Sequence, residues 1–175
     1  SNFPTDNYTA QGLIEQLGGQ HQIRFAENEE ILDAITEEVA VVALTQVHYK
    51  TGRLLDMKAI TEKAHQVGAL VIWDLCHSAG ALPVDRNGCN ADLAVGCGYK
   101  YLNRGPGAPA FLFVAKRHQG KEMQPLTGWW GDAAPFAFER DYRPADTIWQ
   151  MLTGTQPILS LSLLECGLDI MNRAD

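Results

Sequence analysis

Three separated segments of this sequence carry side chains that could do chemistry together. Asp74-x-x-His77 follows the apolar run Ala69-Leu70-Val71-Ile72-Trp73. Lys100 lies in a mostly apolar, glycine-rich stretch from Asp92 to Gly107. Thr45, His48 and Tyr49 follow a third apolar run, Val39 to Leu44. Most lysines are solvated surface residues. A lysine drawn into apolar surroundings instead loses hydration, which favours the neutral amine and makes it a Schiff-base nucleophile. Asp74, after five apolar residues, is either a capping aspartate at a strand–helix turn or a buried anion that needs a cationic partner, since unpaired buried charge is costly. His77 alone reads as a structural histidine; its spacing from Asp74 gives it weight.

These residues can meet only if the fold brings the segments together. Val39 to Leu44 reads as a strand buried on both faces. Asp56 caps a helix in which Met57, Ile60, Ala64 and Val67 keep helical spacing, and Gly68 ends it. Ala69 to Trp73 is the next buried strand, so the three form a βαβ unit with parallel strands and a right-handed crossover. Further strands are expected at Asp92 to Gly96 and Ala110 to Val114, the last antiparallel because its connection is too short for a crossover helix. Upstream, Thr5 or Asp6 caps a helix running to about Leu17, stopped by Gly18-Gly19. Gln22 to Phe25 is a short strand, and Glu27 to about Ile35 a helix with an acidic face. Lys121 to Pro157 lacks periodicity, as functional or interface segments often do, and Ile158 to Arg173 is an apolar helix. The fold class is α/β with a mainly parallel sheet. In such sheets ligands sit beyond the carboxyl ends of the strands, where Thr45, Asp74 and the Lys100 segment all emerge.

Composition removes other classes. The 175 residues are 46% hydrophobic and 20% charged, with a net charge of −7. That balance is globular, and acidity argues against nucleic acid or an anionic membrane as partner. No apolar run reaches the roughly 18–20 residues of a membrane helix, and no secretory leader opens the chain. Cys76, Cys89, Cys97 and Cys166 form no Cys-x-x-Cys pair and the histidines no His-Glu-x-x-His motif, so no metal is expected and the thiols read as reduced, in a cytoplasmic protein. Gly105-Pro-Gly-Ala-Pro-Ala110 spells a dinucleotide-binding fingerprint, but a strand rather than a helix follows it.

An aspartate at one strand end and a lysine after the next strand are the parts a pyridoxal phosphate site requires. The lysine holds the aldehyde, and the aspartate keeps the ring nitrogen protonated so that the cofactor acts as an electron sink. Beyond these residues the chain carries Asn2-Phe3-Pro4-Thr5-Asp6, Tyr49-x-Thr51-Gly52, Tyr99-Lys100-Tyr101-Leu102-Asn103, Gly128-Trp129-Trp130-Gly131 and Pro157-Ile158-Leu159. With Asp74-x-x-His77, these motifs resemble those of the kynureninase family, in family order and across the whole chain.

The resemblance implies a fold type I, aspartate-aminotransferase-like enzyme that uses pyridoxal 5'-phosphate. It would cleave kynurenine, or its 3-hydroxy form, to anthranilate or 3-hydroxyanthranilate and alanine in tryptophan catabolism and NAD biosynthesis. By the same resemblance Lys100 carries the Schiff base and moves protons, and Tyr99 contacts the cofactor phosphate and is a candidate acid. Asp74 pairs with the ring nitrogen, His77 lies near the ring hydroxyl, Phe3 stacks on the ring, and Asp6 and Thr45 lie beside it. Trp129 and Thr155 reach the cofactor or substrate from the neighbouring subunit of a homodimer. Phe3 as a core residue and Trp129 as an interface aromatic remain alternative readings. The resemblance further implies that the chain is the central part of the large cofactor domain, without the family's amino-terminal segment and small carboxy-terminal domain; Ser1, where an initiator Met would stand, fits that expectation. The alternatives are a cysteine desulfurase or small aminotransferase of the same fold, or a truncated, non-catalytic fragment.

Overall fold

The computed structural model describes residues 2–121 and 124–173; Ser1, Glu122 and Met123 within the irregular stretch, Ala174 and Asp175 lie outside the described residues. Among the described residues, four α-helices and four strands follow in the order α1 (Pro4–Gln16), α2 (Ile31–Ala34), β1 (Val41–Thr45), α3 (Met57–Gln66), β2 (Leu70–Asp74), β3 (Leu93–Cys97), β4 (Ala110–Val114) and α4 (Ile158–Met171). One sheet has the order β1-β2-β3-β4; β1, β2 and β3 run parallel and β4 antiparallel to β3, as the sequence predicts.

The core lies on one face of this sheet. Val42, Val71, Trp73 and Ala94 pack with Met57, Ile60 and Ala64 of α3 and with Ile31 and Ile35 around α2. α3 forms where expected because the Asp56 carboxylate accepts the Ala59 N–H at 3.0 Å, and its apolar residues fall on the buried side. Trp73, fully buried, donates its indole N–H to Thr61 Oγ1 at 3.1 Å, which ties β2 to α3. At the other end of the sheet the buried Asp92 accepts hydrogen bonds from His65, Arg117, His118 and the Val71 N–H. Along the opposite face Val41, Val95 and Leu112 stay exposed. Among the described residues no helix is long and apolar enough to cross a membrane.

Several local expectations are corrected. α1 starts at Pro4, with Phe3 extended at the cap and no capping side chain, rather than behind Thr5 or Asp6. Proline's fixed φ suits the first helical position, and it has no N–H that needs a cap. Gln22 to Phe25 forms no strand: among the described residues no other strand pairs with its backbone, so it gains no ladder hydrogen bonds. The helix expected from Glu27 shrinks to α2, for in a longer helix Glu29 would face Asp33 one turn on, whereas here it pairs with Arg53. β1 starts two residues later than the apolar run, since the Val39 N–H is used in a turn to Thr36 O.

The stretch between β4 and α4 holds three short 3-10 turns, Trp129–Gly131, Pro135–Ala137 and Ile148–Met151. Backbone bonds from Ala133 to Arg143 and from Ala145 to Gly131 knit it together.

Candidate active site

Because β1, β2 and β3 are parallel, their carboxyl ends share one edge, and the register sets Thr45 beside Asp74 and Asp74 beside Val95. Thr45 and Asp74 are both buried. Thr45 Oγ1 donates to Val47 O at 3.0 Å, and Asp74 Oδ1 accepts the Cys76 N–H at 2.8 Å. The capping reading of Asp74 is therefore partly right: it caps a turn, since no helix follows β2 directly. Its charge is nonetheless felt at Asp6 and His77 across the site.

Lys100 lies three residues beyond β3, on a loop clamped by close backbone approaches. A Cβ on Gly80 would stand 2.5 Å from Tyr101 O, one on Gly98 2.9 Å from Pro109 O, and one on Gly167 of α4 2.5 Å from Leu102 O. Only glycine lets three segments come this near the loop. Asn103, at φ 60°, turns the chain, with its N–H bonded to Lys100 O at 3.0 Å. The half-buried Lys100 side chain then brings Nζ to 3.0 Å from His77 Nε2, 5.4 Å from the centre of the Tyr99 ring and 5.9 Å from that of Phe3.

The electrostatics assign the roles in the Lys100–His77 contact. Burial, then the Lys100 charge, pushes His77 below the usual imidazole range, while Asp74 pulls the other way. A neutral His77 accepts from the lysine ammonium at Nε2 and carries its own proton on Nδ1. Nδ1 is buried without a hydrogen-bond partner.

The amino-terminal arm reaches the same place through Asn2. Its carboxamide Nδ2 donates to Ala43 O at 3.0 Å and its Oδ1 accepts the Thr45 N–H at 3.1 Å, so the side chain pairs with β1 as a strand would. Phe3 is thereby set beside Lys100, and Asp6 follows in the first turn of α1. Burial, then the neighbouring Asp74, raises the Asp6 carboxyl above its ordinary value, with Lys100 opposing; its Oδ2 is buried and unpartnered.

Phe3, Asp6, Asp74, His77, Tyr99 and Lys100 thus converge, with Thr45 in the same row of the sheet edge. Trp129 lies elsewhere, in an aromatic cluster with Trp130, Phe136 and Phe138, its indole N–H donated to Pro135 O. Thr155 is exposed between the last 3-10 turn and α4. Asn2, Gly80 and Gly167 are positioning residues the sequence reading missed. Asn2 stood inside a matched motif without a role, and nothing in the sequence marks the two glycines as close approaches.

The site fits the group that the resemblance implies. An amine, a buried carboxylate and an imidazole stand together, and two buried polar atoms, His77 Nδ1 and Asp6 Oδ2, have no partner among the described residues. Buried polar groups seldom remain so unless a ligand or water meets them. Among the described residues no three of His, Cys, Asp or Glu cluster as metal ligands. The Cys76 thiol is pushed far up by burial and by its hydrogen bonds with Asp74 and Cys97, which leaves it a poor nucleophile.

The aminotransferase class-V family model matches residues 14–175. The chain is 53% identical over 176 aligned residues to a kynureninase of Burkholderia mallei, covering all of this chain and 42% of that protein. It is 51% identical to a kynureninase of Deinococcus radiodurans, covering 99% of this chain and again 42% of the relative. The chain thus spans less than half the length of these curated relatives. Among solved structures, a cysteine desulfurase from Thermococcus onnurineus superposes with a TM-score of 0.77 at 21% identity, over 96% of this chain and 42% of that one. A mutant of C-DES with glycine covalently linked to its PLP cofactor superposes with a TM-score of 0.79 at 16% identity, over 99% of this chain and 48% of that one. At such identities the structures speak for the fold alone.

Proposed function

As the chain belongs to the class-V aminotransferase family, we propose that it is the central part of the large domain of a pyridoxal-phosphate-dependent kynureninase. That enzyme hydrolyses the Cβ–Cγ bond of L-kynurenine, or of 3-hydroxykynurenine, to anthranilate or its 3-hydroxy form and L-alanine. The observation that carries the reading is the identity to kynureninases along the whole chain, 53% against about 20% for the desulfurases and aminotransferases that share the fold. We place the protein in the cytoplasm, in tryptophan breakdown and the supply of NAD precursors, as a homodimer whose Trp129 and Thr155 serve the neighbouring subunit's site.

The cofactor, when bound, supplies an electron sink for the carbon from which a proton or carbon fragment departs. Lys100 would hold the group through its amine, and a substrate amine would bind in the same place. Asp74 would favour a protonated ring nitrogen by its negative charge. Phe3 would pack against the group, and the unpartnered His77 Nδ1 and Asp6 Oδ2 would meet its polar atoms. Lys100, once released, takes the α-proton, and His77 Nε2 accepts a hydrogen bond from the resulting ammonium. Tyr99, beside Lys100, offers a proton to the alanine carbon left when the side-chain ketone, having added water, departs as the aromatic acid.

Anthranilate is fluorescent, so the test is direct: the whole enzyme loaded with pyridoxal phosphate should release it from kynurenine, with water as the only co-substrate. A loaded enzyme that yields none, but forms persulfide from cysteine or transfers an amino group to a keto acid, would establish the rival reading. The half-buried Cys76, whose thiol is pushed well up by burial and by Asp74, argues against the desulfurase, which needs a mobile thiolate.

A further inference from the structure

The motif Tyr49-x-Thr51-Gly52 has no part in the chemistry above, yet it stands against the site. Gly52, at φ 68°, closes the turn after β1, with its N–H on His48 O at 2.9 Å and the His48 N–H on Arg53 O at 2.9 Å. Thr51 Oγ1 lies 2.8 Å from His48 Nδ1 and so fixes the imidazole plane. The His48 ring meets the Tyr49 ring at 5.2 Å, and Tyr49 also leans on His77 at 6.4 Å. Tyr49 in turn meets Phe3 edge to face, at 5.1 Å and 74°.

A chain of contacts therefore runs from Thr51 through His48 and Tyr49 to Phe3, whose ring centre is 5.9 Å from Lys100 Nζ. Phe3 needs such support. It is 43% exposed and sits at the cap of a helix that buries none of its own residues. Asn2 anchors its backbone to β1, but that leaves the side-chain torsions free.

We infer that Tyr49 is a positioning residue that sets the plane of the Phe3 ring against the cofactor, and that Thr51 and His48 brace it. The edge-to-face geometry does this because the positive rim of one ring seeks the negative face of the other, which fixes an angle as well as a distance. The ring performs the task; the hydroxyl takes no part. The inference rests on the functional reading above, in which Phe3 covers the cofactor ring.

The experiment titrates the whole apoenzyme and its variants with pyridoxal phosphate, following the absorbance and visible circular dichroism of the bound cofactor, with far-ultraviolet dichroism as the folding control. Tyr49→Phe should bind like the wild type. Tyr49→Leu should fold, bind about tenfold more weakly and lose much of the induced dichroism, because the ring above the cofactor is no longer held at one angle. Phe3→Leu should weaken binding similarly, and the double variant Phe3→Leu/Tyr49→Leu should be no weaker than about twofold beyond it. Wild-type affinity in Tyr49→Leu, a defect in Tyr49→Phe equal to that in Tyr49→Leu, or losses that simply add in the double variant would each overturn the inference. A wild-type enzyme that takes up no pyridoxal phosphate would instead overturn the functional reading on which it rests.

Discussion

At the scale of single residues, electrostatic partnership decides what each carboxylate does. Asp74 and Asp6 face a lysine across an open site, whereas Asp92, at the far end of the sheet, is surrounded by donors from four places. Burial alone would raise the Asp92 carboxyl; the bonds from His65, His118, the Val71 N–H and Arg117 outweigh it and bring it down to about 2 from an ordinary 3.8. A depressed acid stabilises the fold above its unfolded value, and the contribution fades as pH falls from 3.8 towards 2. It amounts to about 2 kcal/mol at neutral pH. Asp92→Asn in the whole protein should therefore cost about 2–3 kcal/mol at pH 7, with a gap to wild type that narrows below pH 4. Denaturation across that range checks it, and a gap independent of pH would contradict it. Asp74, His77 and Lys100 were legible in the sequence because their spacing ties each to a strand end. Asp92 and Asn2 were not, since their partners lie 21–27 and 41–43 residues away. No pattern along a chain encodes such pairings.

Among the elements, the strands were legible because long apolar runs leave few other options, and α3 because its cap and its periodicity agree. Where local signals conflicted with charge or lacked a partner, as at residues 22–35, the expectation failed. The docking of α4 on the lysine loop was invisible, because it depends on what Gly167 lacks. Alanine in place of a mid-helix glycine ordinarily gains up to about 1 kcal/mol. At Gly167 the new Cβ would meet the Leu102 carbonyl, a backbone atom that cannot swing aside, and such overpacking costs about 1–3 kcal/mol. The clash should win: Gly167→Ala is expected to lower the melting temperature and weaken cofactor binding by shifting the Lys100 loop. Gly12→Ala in α1, where the Cβ meets nothing within 4 Å, should raise the melting temperature instead. Equal effects at the two glycines would show that the loop is not seated on α4.

For the molecule as a whole, one sheet face is packed and the other carries exposed Val41, Val95 and Leu112, while α4 exposes Ile158, Leu159 and Ile170. Apolar surface of this extent asks for a cover, and in the account above the remainder of the enzyme and its second subunit supply it. The 175-residue chain expressed alone should consequently bind a hydrophobic dye and associate with rising concentration; sedimentation as a dye-free monomer would argue that the chain is sufficient in itself. In the function proposed above, this chain carries the cofactor on one lysine among those it contains. Borohydride reduction of the whole enzyme loaded with pyridoxal phosphate, followed by peptide mass mapping, tests it most directly. One pyridoxyl group is expected, on Lys100 within Gly98-Tyr99-Lys100-Tyr101; a label on any other lysine, or none, would refute the assignment.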